Sequence, residues 1–403
     1  MKHIRIQYIT FNDPYASSGV HKKEQEFCEA MGELCREREV AFQGVNIFTS
    51  EHADGSSLFD SEHFCYRKAE GRLHRIFGQT RFVRALFRIR PMLKAAYNAI
   101  RQFDPDIILW RYDIINVPGF FNPKRIKPDV LFVSEHQTKE MEELALSLAG
   151  RIKIPLLRLY EKRIFLRSVD ALVGVTTEIA EYERMRLGRT IPIYVHTNGI
   201  NVKLCTQAQY TPFTGDVMKL VFVGSATARW HGIDRLLRGI ARYHGDVRIE
   251  LHMVGIVTPD IQDLIASLDI GGKIIFHGVC YGGDLDAIFN QAHMAVGTLG
   301  IHRQNLHYGS TLKVREYMAR GVPFLLSYID EDIEDDFPLC LRLRADESAV
   351  DMDEVVQFMT DIEKQYGQRI PSLMRSYALE HMDYEKKVRD LLQFLMSLTD
   401  SGR

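Results

Sequence analysis

Lys219–Ile240 reads KLVFVGSATARWHGIDRLLRGI: an apolar run, a Gly224-Ser225 turn, a loop carrying Arg229, Trp230 and His231, and then a helical apolar period. A short apolar run closed by glycine is a buried strand, and the spacing after Gly232 matches an amphipathic helix. Strand, loop and helix in this order are one unit of a parallel sheet, whose ligands sit beyond the carboxyl ends of the strands. Arg229 and His231 then project toward that crevice, where cations can meet a diphosphate. Taken alone, the same loop also reads as a solvated basic turn.

Outward from this unit the pattern repeats in both directions, so the fold class is α/β. Strands are expected near Ile4–Ile9, Val40–Ile47, Ile107–Trp110, Val130–Ser134, Ala171–Val175 and Ile193–His196, and again near Leu220–Val223, Ile249–Val254, Ile274–Phe276, Met294–Val296 and Phe324–Leu326. Between the two sets Thr197–Asp216 is rich in Asn, Gly, Thr and Gln without a sustained period. The expected organisation is a Rossmann-like domain over 1–199, a linker over 200–218, a second Rossmann-like domain over 219–371, and terminal helices over 372–403 that pack toward the first domain. Met382, Val388, Leu391, Leu392 and Leu395 form their apolar stripe.

The bulk properties agree with two domains. The chain has 403 residues, 46% hydrophobic and 26% charged, which excludes disorder as the main state. No run reaches the roughly 18 apolar residues of a membrane span, and the opening is too polar for a secretory leader, so a cytoplasmic protein is expected. Six scattered cysteines lack any C-x-x-C pair and read as free thiols. The net charge of -2 hides an asymmetry: residues 1–200 carry 30 Lys/Arg against 25 Asp/Glu, whereas 201–403 carry 21 against 28.

A second informative stretch is Gly300–Leu326, GIHRQNLHYGSTLKVREYMARGVPFLL, in which a polar loop enters a helix that stops at Arg320-Gly321. Gly321 suits the left-handed position after a helix. At the front, the N–H groups near Ser310, Thr311 and Leu312 are helix-start donors, and Lys313 adds a charge, which suits a phosphate. Glu316, one turn further, can accept from a diol such as ribose. The competing reading is a surface loop with a capped core helix.

Taken together, strand-G-loop-WHG-helix, then Val254-Gly255, then Phe276–Val279 (FHGV), then LKVREYMARGVPF resemble the C-terminal domain of retaining GT-B glycosyltransferases of the family 4 type. The resemblance implies two Rossmann-like domains facing a cleft, a nucleotide-diphosphate sugar as co-substrate, no cofactor, and a hydroxyl acceptor, either a glycan or a lipid-linked precursor of polysaccharide biosynthesis. It assigns donor contacts to Gly19, Gly224, Ser225, Arg229, His231, Val279, Ser310, Thr311, Leu312, Lys313 and Glu316, and catalytic roles to His136, Arg229 and His231. In the first half SSGVHKKEQEFCEAM (Ser17–Met31), VSEHQTKEMEEL (Val133–Leu144), LYEKRIFLRSVDALVGVT (Leu159–Thr176) and NGI (Asn198–Ile200) match family landmarks. Gly19 and His136 fall in the first two, where a βα turn and a structural histidine are the plainer readings.

Two departures stand out. Glu316 matches the second Glu of the family's E-x(7)-E element, but the first position is Tyr308. His231 replaces the Lys of the usual K-G pair, and Ser225 stands where an Arg often follows the glycine. A nucleotide-sugar 2-epimerase and a non-catalytic nucleotide-sugar-binding scaffold are therefore alternatives.

Four D-x-D tripeptides, Asp104/Asp106, Asp284/Asp286, Asp330/Asp332 and Asp351/Asp353, do not build an oxygen cage on sequence grounds, and no metal is expected. Arg67–Arg101 holds ten Lys/Arg against one acid, interleaved with Phe and Leu. This basic amphipathic region suggests an anionic membrane surface contacted by Arg81, Arg84, Arg88 and Arg90, with Arg151–Arg167 as a second such stretch. A solvated face is the competing reading. Nucleic acid is not expected, since no nucleic-acid module is present and the total charge is near zero.

Overall fold

The computed structural model describes residues 3–12, 14, 18–49, 60–69, 81–114, 121–163, 165–225 and 229–400. The chain forms two compact units, 1–197 with 384–403, and 198–383.

In the first unit the strands are β1 (Arg5–Thr10), β2 (Ala41–Phe48), β3 (Phe64–Lys68), β4 (Ile107–Arg111), β5 (Leu131–His136), β6 (Ala171–Gly174) and β7 (Ile193–Val195), paired in the order β3-β2-β1-β4-β5-β6-β7. All pairings are parallel. The helices are α1 (Ser18–Glu37), α2 (Arg81–Phe103), α3 (Glu140–Ala145), α4 (Leu148–Arg163), α5 (Phe165–Ser168) and α6 (Thr177–Leu187). Alternation along the strands feeds two cores. On β4, Ile108 and Trp110 join Met92, Ala96 and Ile100 of α2, whereas Ile107 and Leu109 join Phe27, Cys28 and Met31 of α1. A sheet buried on both faces in this way needs near-continuous apolar runs, which makes its strands visible in the sequence.

The second unit holds β8 (Val217–Val223), β9 (Arg248–Val254), β10 (Ile274–Gly278), β11 (Met294–Val296), β12 (Phe324–Leu326) and β13 (Cys340–Arg342), in the order β10-β9-β8-β11-β12-β13 and again parallel. Its helices are α7 (Ile233–Arg242), α8 (Pro259–Ser267), α9 (Gly282–Phe289), α10 (Leu312–Arg320), α11 (Met352–Tyr366) and α12 (Ile370–His381); α13 (Tyr384–Asp400) returns to the first unit. The strand order reverses at β8, the topological switch point at which open α/β sheets hold ligands.

Three expectations need correction. The edge strands β3 and β13 are absent from the sequence reading, because FCYRK and CLR are short and end in basic residues. Residues 200–218 are not a free linker: Ala208 N–H donates to the Arg320 carbonyl at 2.8 Å, Gln209 N–H to Asn290 Oδ1 at 2.8 Å, and Val202 and Phe213 are buried. Irregular backbone satisfied by loops carries no period. Finally, the terminal helices divide: α12 stays with the second unit, and only α13 packs on α1, through Val388, Leu391, Leu392 and Leu395. Met382 is buried but lies in the second unit.

Candidate functional site

The carboxyl edge of the second sheet brings Gly224, His231 and Lys313 together. β8 ends at Val223 and passes into Gly224, at φ 143°, whose N–H donates to Val254 O at 2.8 Å. Gly255, at φ 125°, closes β9, and a Cβ there would lie 2.4 Å from Gly224 O. Only glycine fits that approach. Gly255 N–H donates in turn to Gly278 O at 2.6 Å, and the exposed Val279 follows. Bare backbone thus runs across the ends of β8, β9 and β10. Ser225 is exposed beside it.

Arg229–His231 form one 3-10 turn, pinned from behind by the loop after β11. Leu299 N–H donates to His231 O at 2.9 Å, Gly300 N–H to Trp230 O at 3.1 Å, and Arg303 Nη1 to Arg229 O at 2.8 Å. The Arg229 side chain is left exposed. Tyr317 stitches the two central strands from below: its hydroxyl donates to Val296 O at 3.0 Å and accepts from Val223 N–H at 3.2 Å.

Lys313, in the first turn of α10, lies over this turn. Its Nζ is 4.3 Å from the Phe222 ring centroid, 5.8 Å from that of Trp230, 3.0 Å from His231 Nδ1, and 3.3 Å from the position a Cβ on Gly224 would take. Burial pulls the Lys313 ammonium down to about 7. Burial, and then the charge of Lys313, push His231 down to about 2. His231 is therefore neutral at working pH, and the assignment of a positive charge to it is corrected. With Nδ1 accepting from the ammonium, its proton sits on Nε2. The charge at this spot belongs to Lys313, held between two aromatic faces.

The start of α10 is open in one respect and closed in another. Thr311, the N-cap, makes no side-chain bond to the helix; its hydroxyl pairs with Tyr328 OH at 2.8 Å. Helix-start N–H groups near Leu312 and Lys313 thus remain without a side-chain cap. Ser310 is different: its Oγ accepts from Asn198 N–H and from Arg315 Nη2, both at 2.8 Å, and it is buried. Its side chain anchors the loop, so any contribution of Ser310 to an anion comes from its backbone N–H.

Arg315, next on α10, is fully buried and holds Asp330 through two hydrogen bonds and Asp332 through a third. The Asp330/Asp332 pair, in the loop after β12, is therefore held in an arginine cradle. Glu316 is part-buried, and its Oε1 accepts from Arg320 Nε at 2.9 Å; Arg320 also binds Asp286 at 2.6 Å and covers the Phe289 ring at 4.6 Å. Tyr308 is half-buried and bridges to Ile329. Arg315, Tyr317, Arg303 and the ring pair Phe222/Trp230 were not legible as site-building residues; charged or aromatic residues on a helix face give no signal of which loop they hold.

In the first unit Gly19 is the second residue of α1, exposed and with open space where a Cβ would stand. His136 ends β5, but it is 1% exposed rather than open to a crevice. Its Nε2 meets Ser134 Oγ at 3.0 Å, its Nδ1 meets Glu140 Oε2 at 3.1 Å, and Tyr112 stacks on its ring at 4.8 Å. Burial pulls its pKa down, but Glu140 and Glu183 outweigh burial and hold the imidazolium above its ordinary value. His136, Glu140 and Glu183 offer ligand atoms within 4.8 Å of one another. Glu183 also pairs with Arg186 at 2.6 Å, so His136 sits in an internal ion network. Of the expected membrane contacts, Arg90 is exposed on α2, and the side chains of Arg81, Arg84 and Arg88 lie outside the described residues.

Residues 218–349 match the family model for glycosyl transferases group 1. No curated protein matches the chain by sequence. Among solved structures, sucrose-phosphate synthase from Thermosynechococcus elongatus aligns over 99% of this chain and 100% of its own at 15% identity and TM-score 0.72. Anabaena HepE in complex with UDP-glucose aligns over 98% of this chain and 100% of its own at 12% identity and TM-score 0.63. A putative UDP-N-acetylglucosamine 2-epimerase from Listeria monocytogenes aligns over 99% and 97% at 12% identity and TM-score 0.55. The chain as a whole therefore has the two-domain GT-B fold, and the stretch that matches the glycosyl transferases group 1 family is the one that carries the Gly224–His231–Lys313 edge.

Proposed function

We propose that the chain is a glycosyltransferase that moves a sugar from a nucleotide-diphosphate sugar to a hydroxyl acceptor with retention of configuration. The observation that carries the reading is Lys313: one ammonium, boxed by Phe222, Trp230 and His231, at the uncapped start of α10 and at the strand-order reversal. A diphosphate at this spot receives the ammonium, the helix-start N–H groups and the exposed Arg229. The bare backbone from Gly224 to Gly278 leaves room for a flat base beside Val279, and Glu316 lies one turn along α10 for a ribose diol. The family match over 218–349 supports the same reading.

Bond cleavage loads negative charge on the departing diphosphate, and preorganised donors that meet this charge lower the barrier. In the proposed reaction the acceptor attacks from the face the nucleotide leaves, and the donor phosphate takes the acceptor proton, so no protein nucleophile is used. The neutral His231 keeps the Lys313 ammonium aimed at the phosphate. We propose no metal requirement, because Asp330 and Asp332 are spent on Arg315. The acceptor is proposed to be a glycan or lipid-linked precursor, used by a cytoplasmic enzyme at the inner face of the membrane.

Calorimetric titration of UDP, GDP and ADP in chelator tests the site. Binding of one nucleotide, weakened by Glu316→Ala and by Lys313→Met, is expected. No binding of any of them by folded protein would move the scaffold reading to first place. Release of labelled sugar with C2 proton exchange, in place of transfer, would favour the epimerase.

A further inference from the structure

Helix α4 (Leu148–Arg163) has two apolar faces, and only one is used. Ile154 and Leu157 turn inward and pack on the core, and Glu161 below them bonds Tyr112 and Arg186. On the far side Leu148 is 77% exposed, Ile152 74%, Leu156 57% and Leu159 48%. At 3.6 residues per turn these four fall within roughly 80° of arc, opposite the inward pair, in a row about 17 Å long. Single exposed leucines are ordinary, but four in one row mark a contact surface.

Cations surround the row. Arg151, Lys153, Arg158, Lys162 and Arg163 are exposed on the same helix, whose single carboxylate, Glu161, is buried and paired inward. Among the described residues, Lys153, Arg158, Lys162 and Arg163 make no ion pair. At the carboxyl end the basic field continues into a recess lined by Lys162, Arg167, Arg186 and Arg189. A second copy of the helix laid on this face would bring like charges together. Nucleic acid would leave the leucine row in water. An anionic lipid surface satisfies both, with acyl chains for the leucines and phosphate headgroups for the cations. No helix among the described residues is long and apolar enough to cross a membrane.

We infer that the outward face of α4, Leu148, Ile152, Leu156 and Leu159 with its flanking cations, lies in the interface of an anionic membrane. This face lies in the second of the two basic stretches, Arg151–Arg167. It adds a surface to the proposed function, and its test needs no donor or acceptor, so either can fail without the other.

The test is flotation of the full chain with vesicles of phosphatidylcholine alone, or with about one third phosphatidylglycerol, at low and high salt. Retention on the anionic vesicles is expected, falling with salt. Ile152→Asp/Leu156→Asp and, separately, Arg158→Glu/Lys162→Glu should each lower the partition about tenfold or more. All four side chains are exposed, so unfolding temperature and nucleotide binding should stay at wild-type values. Absence of retention at low salt, or retention unmoved by both variants, overturns the inference. So does a dimer in sedimentation that Ile152→Asp dissociates, because the row would then be covered by a second copy.

Discussion

The proposed placement of a diphosphate at Lys313 makes its binding a proton-linked event. Burial lowers its ammonium from 10.5 to about 7, so at pH 8.5 the free protein holds it mostly neutral. A diphosphate beside Nζ restores the charged form. Protein and ligand together therefore take up a proton on binding, and affinity must fall as pH rises through the depressed pKa. If the bound value returns to the ordinary lysine range, affinity drops about fifteenfold between pH 7 and 8.5, with close to one proton taken up at the upper end. The window stops short of base ionisation in uracil or guanine. Titration calorimetry in buffers of different ionisation enthalpy reads both numbers at once. Lys313→Met should bind more weakly at pH 7 and show neither the slope nor the proton. A wild-type affinity that stays flat from pH 7 to 8.5, without proton uptake, would refute the placement of the diphosphate at Lys313. The free protein supplies a second check: the unfolded chain binds this proton between about 7 and 10.5 and the native one does not, so stability should rise with pH across that window.

Three further outcomes follow from packing and charge. Arg315→Met leaves Asp330 buried without its partner, and denaturant unfolding should show a loss of about 3–5 kcal/mol, partly recovered by adding Asp330→Asn and Asp332→Asn. Gly255→Ala places a methyl 2.4 Å from Gly224 O at φ 125°, and should cost about 2 kcal/mol or more while weakening nucleotide binding, both visible in thermal unfolding with and without ligand. His136 faces Glu140, Glu183, Ser134 and Tyr112; its raised pKa contributes stability that is complete below about 6.5 and is lost as pH rises through the higher native value. His136→Gln should flatten that part of the stability profile.

How much of this was legible in the sequence depended on what each feature needs in order to be seen. Strands β1, β2, β4 and β8 were read within a residue or a few because a sheet covered on both faces demands unbroken apolar runs. The edge strands β3 and β13 escaped because each holds too few apolar residues to make a run. Gly321 was read correctly as a helix stop: it takes φ 81°, and its N–H closes on Tyr317 O and Met318 O. The proximity of Gly224, His231 and Lys313 follows from type and order, but their charges do not, since His231 looks cationic until its 3.0 Å partner is known to be Lys313. The side chains of Ser310 and His136 likewise have local hydrogen-bond partners that their position before a helix or after a strand does not reveal. For α4, the sequence showed a basic and apolar composition without showing which apolar residues were spent on the core.

The exchange of Lys for His at position 231 becomes intelligible through Lys313. Two ammonium groups 3 Å apart above the Phe222 ring would repel each other and lose most of their hydration, so one would lose its proton. A neutral imidazole in that position costs no second charge, accepts a hydrogen bond from the ammonium, and fixes its direction. Its ring also lies against Trp230, centroids 3.9 Å apart and tilted by 43°, which keeps the imidazole from swinging away. The loop that departs from the usual K-G pair therefore retains a single aimed cation, and the pressure on its pKa is relieved when an anion arrives. The strain that lowers Lys313 in the free protein and the affinity for a diphosphate are on this account two readings of one arrangement, and a substitution that relaxes the first should weaken the second.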